Sequence, residues 1–441
     1  MSIFGSSSFG VPRMRPLSAK RTTTVSVLDI GSSKVVCMIG RLTPRTESQL
    51  LPGRTHRIEI VGIGHQKSRG MKAGVIADLD AVEGAVRLAV DAAERMAGLT
   101  VESLIVNVSA GRLKSDTYSG SIDLGGHEVN SADLRKVLSA AAQKSALADR
   151  GVIHSLPTLF TLDGERGIED PTGMFGDRLS VDMHILSAER APLRNLELCI
   201  NRAHLSVEAM VATPYASGLA ALVDDEAEMG CVTIDLGGGT TTISLFSEGR
   251  LVHVDAIALG GHHVTMDLAR GLSTRVEDAE RLKVVHGSAV TTSTDDRDVV
   301  SIPPIGDDER DMPTQVPRAL VVKIVRARVE ETLEMIRDRL QKSGHSGAVG
   351  KRIVLTGGAS QLTGMADVAR RILARNVRIG RPMGVAGLPA AAKGPAFSTA
   401  VGLMIYPQVA GLEDHASGRA GFVGEGTGTI ARMGRWLKES F

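Results

Sequence analysis

Two stretches of the sequence end an apolar run on an acid, glycines and hydroxyls, then resume the apolar run. Residues 25–40 read VSVLDIGSSKVVCMIG, and residues 231–246 read CVTIDLGGGTTTISLF. Asp29 and Asp235 hold matching positions, 235 − 29 = 206 residues apart. Such a turn has a chemical use. Glycine lets backbone amides approach an anion closely, and serine or threonine hydroxyls add donors. An acid cannot bind phosphate directly, but it can hold a hydrated Mg2+ that bridges phosphates. In the first copy Gly31, Ser32, Ser33 and Lys34 would face the phosphates, with Lys34 adding a cation; in the second, Gly237, Gly238, Gly239 and Thr240 take that part. Facing each other, the two turns would clamp a triphosphate, with Asp29 and Asp235 holding the metal through water. One such turn alone reads as an ordinary polar hairpin. Its repetition asks for a common purpose.

A third stretch, IVLTGGASQL, sets Gly357, Gly358 and Ala359 after an apolar strand and before a helix. Adjacent glycines there let a flat base and ribose pack against backbone, although strand–Gly–Gly–helix is also a common α/β turn. The phosphate loop GxxxxGK[ST] is absent, as is GxGxxG after a strand.

The elements that must carry these turns follow from periodicity. Strand patterns cover residues 25–28, 34–39, 57–65 and 104–109, with a helix between the last two. That helix has apolar residues at 82, 85, 86, 89, 90 and 93 and ends at Gly98. Residues 100 to 188 read as a smaller α+β unit, with a helix capped by Ser131. A helix, a strand and another helix lead to the second turn, and residues 277–286 form a short helix. The acidic stretch 287–318 reads as a loop around short strands, and a long helix follows it. After residue 406 the composition shifts: 407–428 is a Gly-rich connector, and 429–441 is not. A chain of 441 residues, 43% apolar, requires two or more domains.

Composition excludes other classes. With 1 Trp, 3 Tyr and a net charge of +1, the chain offers neither stacking platforms nor a field for nucleic acid. No apolar run reaches the roughly 20 residues of a membrane-spanning helix. The Ser-rich, basic N-terminus reads as a disordered tail rather than a secretion signal. Cys37, Cys199 and Cys231 lie in apolar surroundings without CxxC spacing, as expected of buried thiols in a reducing cytosol.

LDIGSSK, IDLGGGTT and LTGGAS, in this order, resemble the two phosphate motifs and the adenosine motif of the actin, sugar-kinase and Hsp70 superfamily. VEDAERLK resembles a segment of its bacterial actin relatives, which implies that Glu280 and Lys283 border the adenosine. ALGGHHVTMDLA, containing Gly261, and DPTGMFGDRLSVDMHIL resemble the FtsA family of bacterial cell-division proteins. The resemblance covers roughly residues 22 to 441. It implies an α/β, actin-like fold of duplicated ribonuclease H-like domains with an FtsA-type α+β insert. The implied division is 1–21 tail; 22–99 with 189–222 subdomain 1A; 100–188 the insert, 1C; 223–270 with 346–406 subdomain 2A; 271–345 subdomain 2B; 407–428 linker; and 429–441 terminal helix. ATP and Mg2+ are the implied ligands, with at most slow hydrolysis and no assigned catalytic residue.

The terminus adds a second chemistry. At 100° per residue, Ile430, Met433, Trp436, Leu437 and Phe441 share a sector of about 140°, while Arg432, Arg435 and Lys438 lie opposite. This short amphipathic helix suits the interface of an anionic membrane, on a leash whose reach is roughly 25 Å. FtsA-like proteins resemble this plan. The implied partners are the C-terminal peptide of the tubulin-like division protein FtsZ, further copies of this chain in an actin-like filament, the cytoplasmic face of the inner membrane, and other division proteins. Arg328 and Glu331, at i and i+3, are candidates for the FtsZ contact; an intrahelical ion pair accounts for them as well. The alternatives are a pilus-assembly relative of FtsA and a sugar or acid kinase of the same superfamily. No carboxylate suggests itself as a kinase base, and a kinase has no use for the terminal helix.

Overall fold

A computed structural model describes residues 11–414, apart from 15, 19, 47–53, 110–112, 145–148, 306–311 and 346–349. The terminal helix and most of its leash lie outside the described residues. So do the first ten residues and part of the acidic loop.

Two sheets carry the two turns. In the first, Thr23–Ile30 and Lys34–Pro44 form a hairpin, extended on one side by His56–Lys67 and on the other by the parallel strands Ser103–Val108 and Ser206–Ala212. In the second, Cys231–Leu236 and Thr241–Ser247 form the hairpin. Arg250–Ile257 extends it on one side, and the parallel strands Arg352–Thr356 and Asn376–Ile379 on the other. Numbering strands within each half, both sheets run 3-2-1-4-5, and the first gains one short edge strand, Val385–Ala386. This is the duplication that the repeated turn announces.

Hydrophobic periodicity sets the packing. Helix Leu79–Ala97 buries Val82, Ala85, Val86, Ala89, Val90 and Ala93, and Gly98 ends it in the left-handed region at φ 65°. Against the second sheet, helix Arg318–Lys342 buries Val321, Val325, Val329, Leu333 and Ile336, spaced at three and four residues. Helices Thr213–Ala221 and Ser398–Ile405 follow the last strands of their halves, and each packs on the other half's sheet. They also cross each other so closely that a Cβ on Gly402 would overlap the Ala216 carbonyl oxygen. Only glycine fits there.

A second compact unit comprises Asp116–Ala148 and Ser155–Ile185. The four strands associated with it are ordered Lys114–Asp123, Arg178–Glu189, Arg150–Leu162, Glu165–Ile168. Helix Ser131–Gln143 lies on the sheet where Gly120 leaves room for the backbone at Val137 and Ala141. Its N-cap is Asn130, not Ser131. The Asn130 side chain accepts from the Ala132 and Asp133 amides, and Asp133 returns a bond to the Asn130 amide. Ser131 is already the first helical residue, because an amide acceptor one position earlier completes the box.

The leash expected from residue 407 starts later. Pro407, Val409 and Ala410 are buried, Tyr406–Gln408 is a single 3-10 turn, and Gly411–Asp414 is helical. The acidic loop is more ordered than its composition suggests. Val299–Ile302 pairs with Thr314–Pro317, and buried Asp295 is held by Arg318 and Thr292.

Candidate functional site

The two turns are built alike. The Gly31 amide donates to the Lys34 carbonyl at 3.0 Å, and the Gly237 amide to the Thr240 carbonyl at 2.9 Å. In the ladders Asp29 faces Val36 and Asp235 faces Thr242, so the offset of 206 holds at every position. The turns also meet. A Cβ on Gly238 would lie 3.1 Å from the Ser33 Cβ, and one on Gly239 would lie 2.5 Å from the Ser32 Oγ. A serine turn therefore seats against a glycine turn, and a side chain on the second would push them apart.

Behind them sit the two acids, each 7% exposed. Burial drives the Asp29 carboxyl up to about 6; the Lys34 ammonium opposes this and the Asp235 charge adds to it. Burial likewise raises Asp235, against the pull of a Thr399 hydrogen bond and of Lys34. Lys34 is lowered by its own burial, although both acids favour its charge. Its Nζ donates to the Ala396 carbonyl and stands 4.6 Å from the Phe397 ring centroid. One ammonium thus faces two buried carboxylates. That arrangement leaves a demand for further positive charge that a hydrated divalent cation fits. Among the described residues no cluster of three His, Cys, Asp or Glu side chains could bind a metal directly. The acids suit a cation held through water.

The remaining candidates gather beside the second turn. Helix Gly261–Gly271 starts against it, with the Gly261 amide on the Gly237 carbonyl and the His262 amide on the Gly238 carbonyl. A Cβ on Gly261 would lie 3.0 Å from that of Ala359 and 3.8 Å from Lys283 Nζ. Lys283 donates to Glu280 at 2.7 Å, to Thr265 at 3.0 Å and to the Gly261 carbonyl at 3.3 Å, pinning helix Val276–His286 to this point. The Glu280 carboxyl, pushed up by burial, is nonetheless held below its usual range by bonds from Lys283 and Thr265. Gly357, at φ 82°, lies so close to Asp235 that a Cβ would strike Oδ1 and the Leu236 carbonyl oxygen. Gly358 opens the 3-10 turn Gly358–Gln361. The structure thus brings the turn residues, both acids, Gly261, Glu280, Lys283 and 357–359 together where the two turns meet.

Comparison with known proteins narrows the lineage. Residues 232–402 match the family model described as cell division protein FtsA, and residues 110–187 match the SHS2 domain inserted in FtsA. Cell division protein FtsA of Rhizobium meliloti is 75% identical over 443 residues, covering 100% of both chains. That of Pseudomonas aeruginosa is 32% identical, over 94% of this chain and 97% of its own. The chain belongs to the FtsA family.

Solved structures give the fold of this FtsA family member as actin-like. The PilM–PilN type IV pilus biogenesis complex matches at TM-score 0.59 and 15% identity, covering 87% of this chain and 98% of that one. MreB5 of Spiroplasma citri bound to ADP matches at 0.53 and 12%, covering 91% and 100%.

Arg328 and Glu331 lie apart from the cleft residues, on helix Arg318–Lys342. Arg328 grips Asp267 with Nε at 2.5 Å and Nη2 at 3.2 Å, and also reaches Glu331, so its guanidinium is engaged within the fold. Ile430, Arg432, Met433, Arg435, Trp436, Leu437, Lys438 and Phe441 lie outside the described residues. Sequence reasoning missed Thr399, Ser217, Ala396 and Phe397. The first two reach Asp235 and the last two receive Lys34, yet nothing in their local pattern distinguishes them from helix and loop residues elsewhere.

Proposed function

We propose that this FtsA family member is an ATP-binding, actin-like protein that polymerises and fixes FtsZ filaments to the cytoplasmic face of the inner membrane, recruiting later division proteins there. The observation that carries the reading is the equivalent pair of turns, packed against each other with two buried acids behind them. The MreB5 structure that shares the fold is bound to ADP, which supports a nucleotide in the corresponding cleft. In this reading the amides and hydroxyls of 31–33 and 237–240 hold phosphate, and Lys34 adds charge. Asp29 and Asp235 would hold Mg2+ through water, and the ion would supply positive charge against the acids and phosphates. Gly261, Glu280, Lys283 and 357–359 border the adenosine. No residue is assigned to positioning a water in this reading, which takes turnover to be slow at most.

The membrane half of the proposal rests on the amphipathic pattern of 430–441. One short helix binds weakly, and a polymer displaying many gains avidity. For FtsZ, the helix face carrying Arg328 and Glu331 is the proposed dock. Asp267 would fix the guanidinium there, and Glu331 keeps 54% of its side chain exposed. Sedimentation with anionic vesicles and FtsZ, with and without Mg-ATP, tests the whole reading. The full chain should pellet with vesicles, more so with Mg-ATP, and carry FtsZ down; a chain ending at Gly428 should stay in the supernatant. Equal pelleting of the shortened chain would refute the membrane role. Phosphoryl transfer to a sugar would favour a kinase.

A further inference from the structure

The acids at the two equivalent turns are held differently. Asp29 is governed by burial and charge, with no hydroxyl partner among the described residues. Asp235 accepts from Thr399 Oγ1 at 3.0 Å on Oδ2, and its Oδ1 abuts Gly357; the Ser217 hydroxyl, which donates to the Pro214 carbonyl at 3.4 Å, adds a weaker pull on the carboxyl. Thr399 belongs to helix Ser398–Ile405 and Ser217 to helix Thr213–Ala221. These are the two helices that exchange between the sheets and cross at Gly402. A parallel tie lies one strand away. Thr356, the ladder partner of Asp235, shares a 2.7 Å hydroxyl contact with Ser398 at the start of the same helix. The carboxylate therefore cannot turn without disturbing the crossing helices and the Gly357 turn together.

We propose that Thr399 is a positioning residue that makes Asp235 the link between the paired turns and the helix crossing, so that a metal-bound nucleotide fixes the geometry of that crossing. The inference rests on the Mg-nucleotide reading above. Hydroxyl bonds to a carboxylate are directional and charge-assisted, so they transmit its orientation to the helices that carry them. Asp29, without such bonds, serves the ligand alone.

Hydrogen exchange of the full chain, followed segment by segment, tests this with Thr399→Val, Thr399→Ser and Ser217→Ala, all at saturating ATP and Mg2+. In the native chain Mg-ATP should slow exchange in residues 213–221 and 398–405. Thr399→Val should lose the slowing in 398–405 and, in a Mg2+ titration, raise half-saturating Mg2+ by about tenfold or more, the range expected for one charge-assisted hydrogen bond. Thr399→Ser should restore both. Ser217→Ala, which removes a bond to the Pro214 carbonyl and only the weaker pull on Asp235, should keep the slowing in 398–405. Native-like slowing in Thr399→Val overturns the inference while leaving the nucleotide reading intact. Loss spread evenly over both sheets would mark general destabilisation and also overturn it. A native chain that binds no Mg-ATP overturns the nucleotide reading, and the inference with it.

Discussion

At the scale of single residues, the cleft depends on what is missing from its glycines. Gly239 has its amide and no side chain where Ser32 Oγ would stand 2.5 Å from a Cβ. Gly239→Ala should therefore spread the turns, lowering Mg-ATP affinity by about tenfold or more while costing about 1–3 kcal/mol of stability. Titration with a fluorescent ATP analogue, paired with urea unfolding, separates the two effects. Adding Ser32→Gly removes the clashing oxygen and should recover most of the stability, since contacting residues couple, while affinity stays below native for want of the Ser32 hydroxyl. If the double variant is no more stable than Gly239→Ala, the turns do not meet as described. The acids at this scale share one counter-charge: burial raises each, and a single lysine serves both.

Among elements, local chemistry decides helix ends and edges. Asn130, not its neighbour, caps helix Ser131–Gln143, so Asn130→Ala should cost about 1 kcal/mol in urea unfolding and Ser131→Ala only a few tenths. The reverse order would reinstate the cap expected from sequence. Glu226 ties the short helix Asp224–Glu228 to the edge strand Asn376–Ile379 through Arg378 Nε at 2.7 Å. Burial pushes its carboxyl up, but bonds from Arg378 and the Val223 amide, with the charges of Arg378 and Arg352, hold it below its ordinary 4.5. Because the folded state lowers this pKa, the pair stabilises the fold above about pH 4.5 and loses that effect as pH falls further. The stability difference between the native chain and Glu226→Gln should be about 2 kcal/mol near neutral pH and shrink below about 4.5. A difference that stays constant into acid would rule the pair out as its source. Most of these elements were readable from apolar spacing, as in the six buried residues of helix Leu79–Ala97. The turns were readable because the offset of 206 duplicates a chemical pattern. The Asn130 cap was harder, because Ser131 is an equally good capping type and only backbone conformation separates them. Thr399 and Ser217 were invisible, since their meaning comes from a crossing of helices distant in sequence. So was the engagement of Arg328 by Asp267, 61 residues away.

In the molecule as a whole, the exchange of helices between the sheets means neither half completes its core alone. Helix Ser398–Ile405 covers the first sheet and Thr213–Ala221 the second, and Gly218 leaves room for the Phe246 ring against the latter helix. The two halves should therefore unfold in one transition, as elements sharing a core do. A ligand held by both turns then stabilises that shared unit. At a hundredfold excess over its Kd, Mg-ATP should add about 2.7 kcal/mol. Hydrogen exchange through global opening should show this increment equally in strand Thr23–Ile30 of the first sheet and strand Cys231–Leu236 of the second. An increment confined to the second strand would mean that the halves open separately and that the nucleotide rests on one of them. Equal increments would mark the two halves as one cooperative unit that the nucleotide stabilises, as the exchanged helices require.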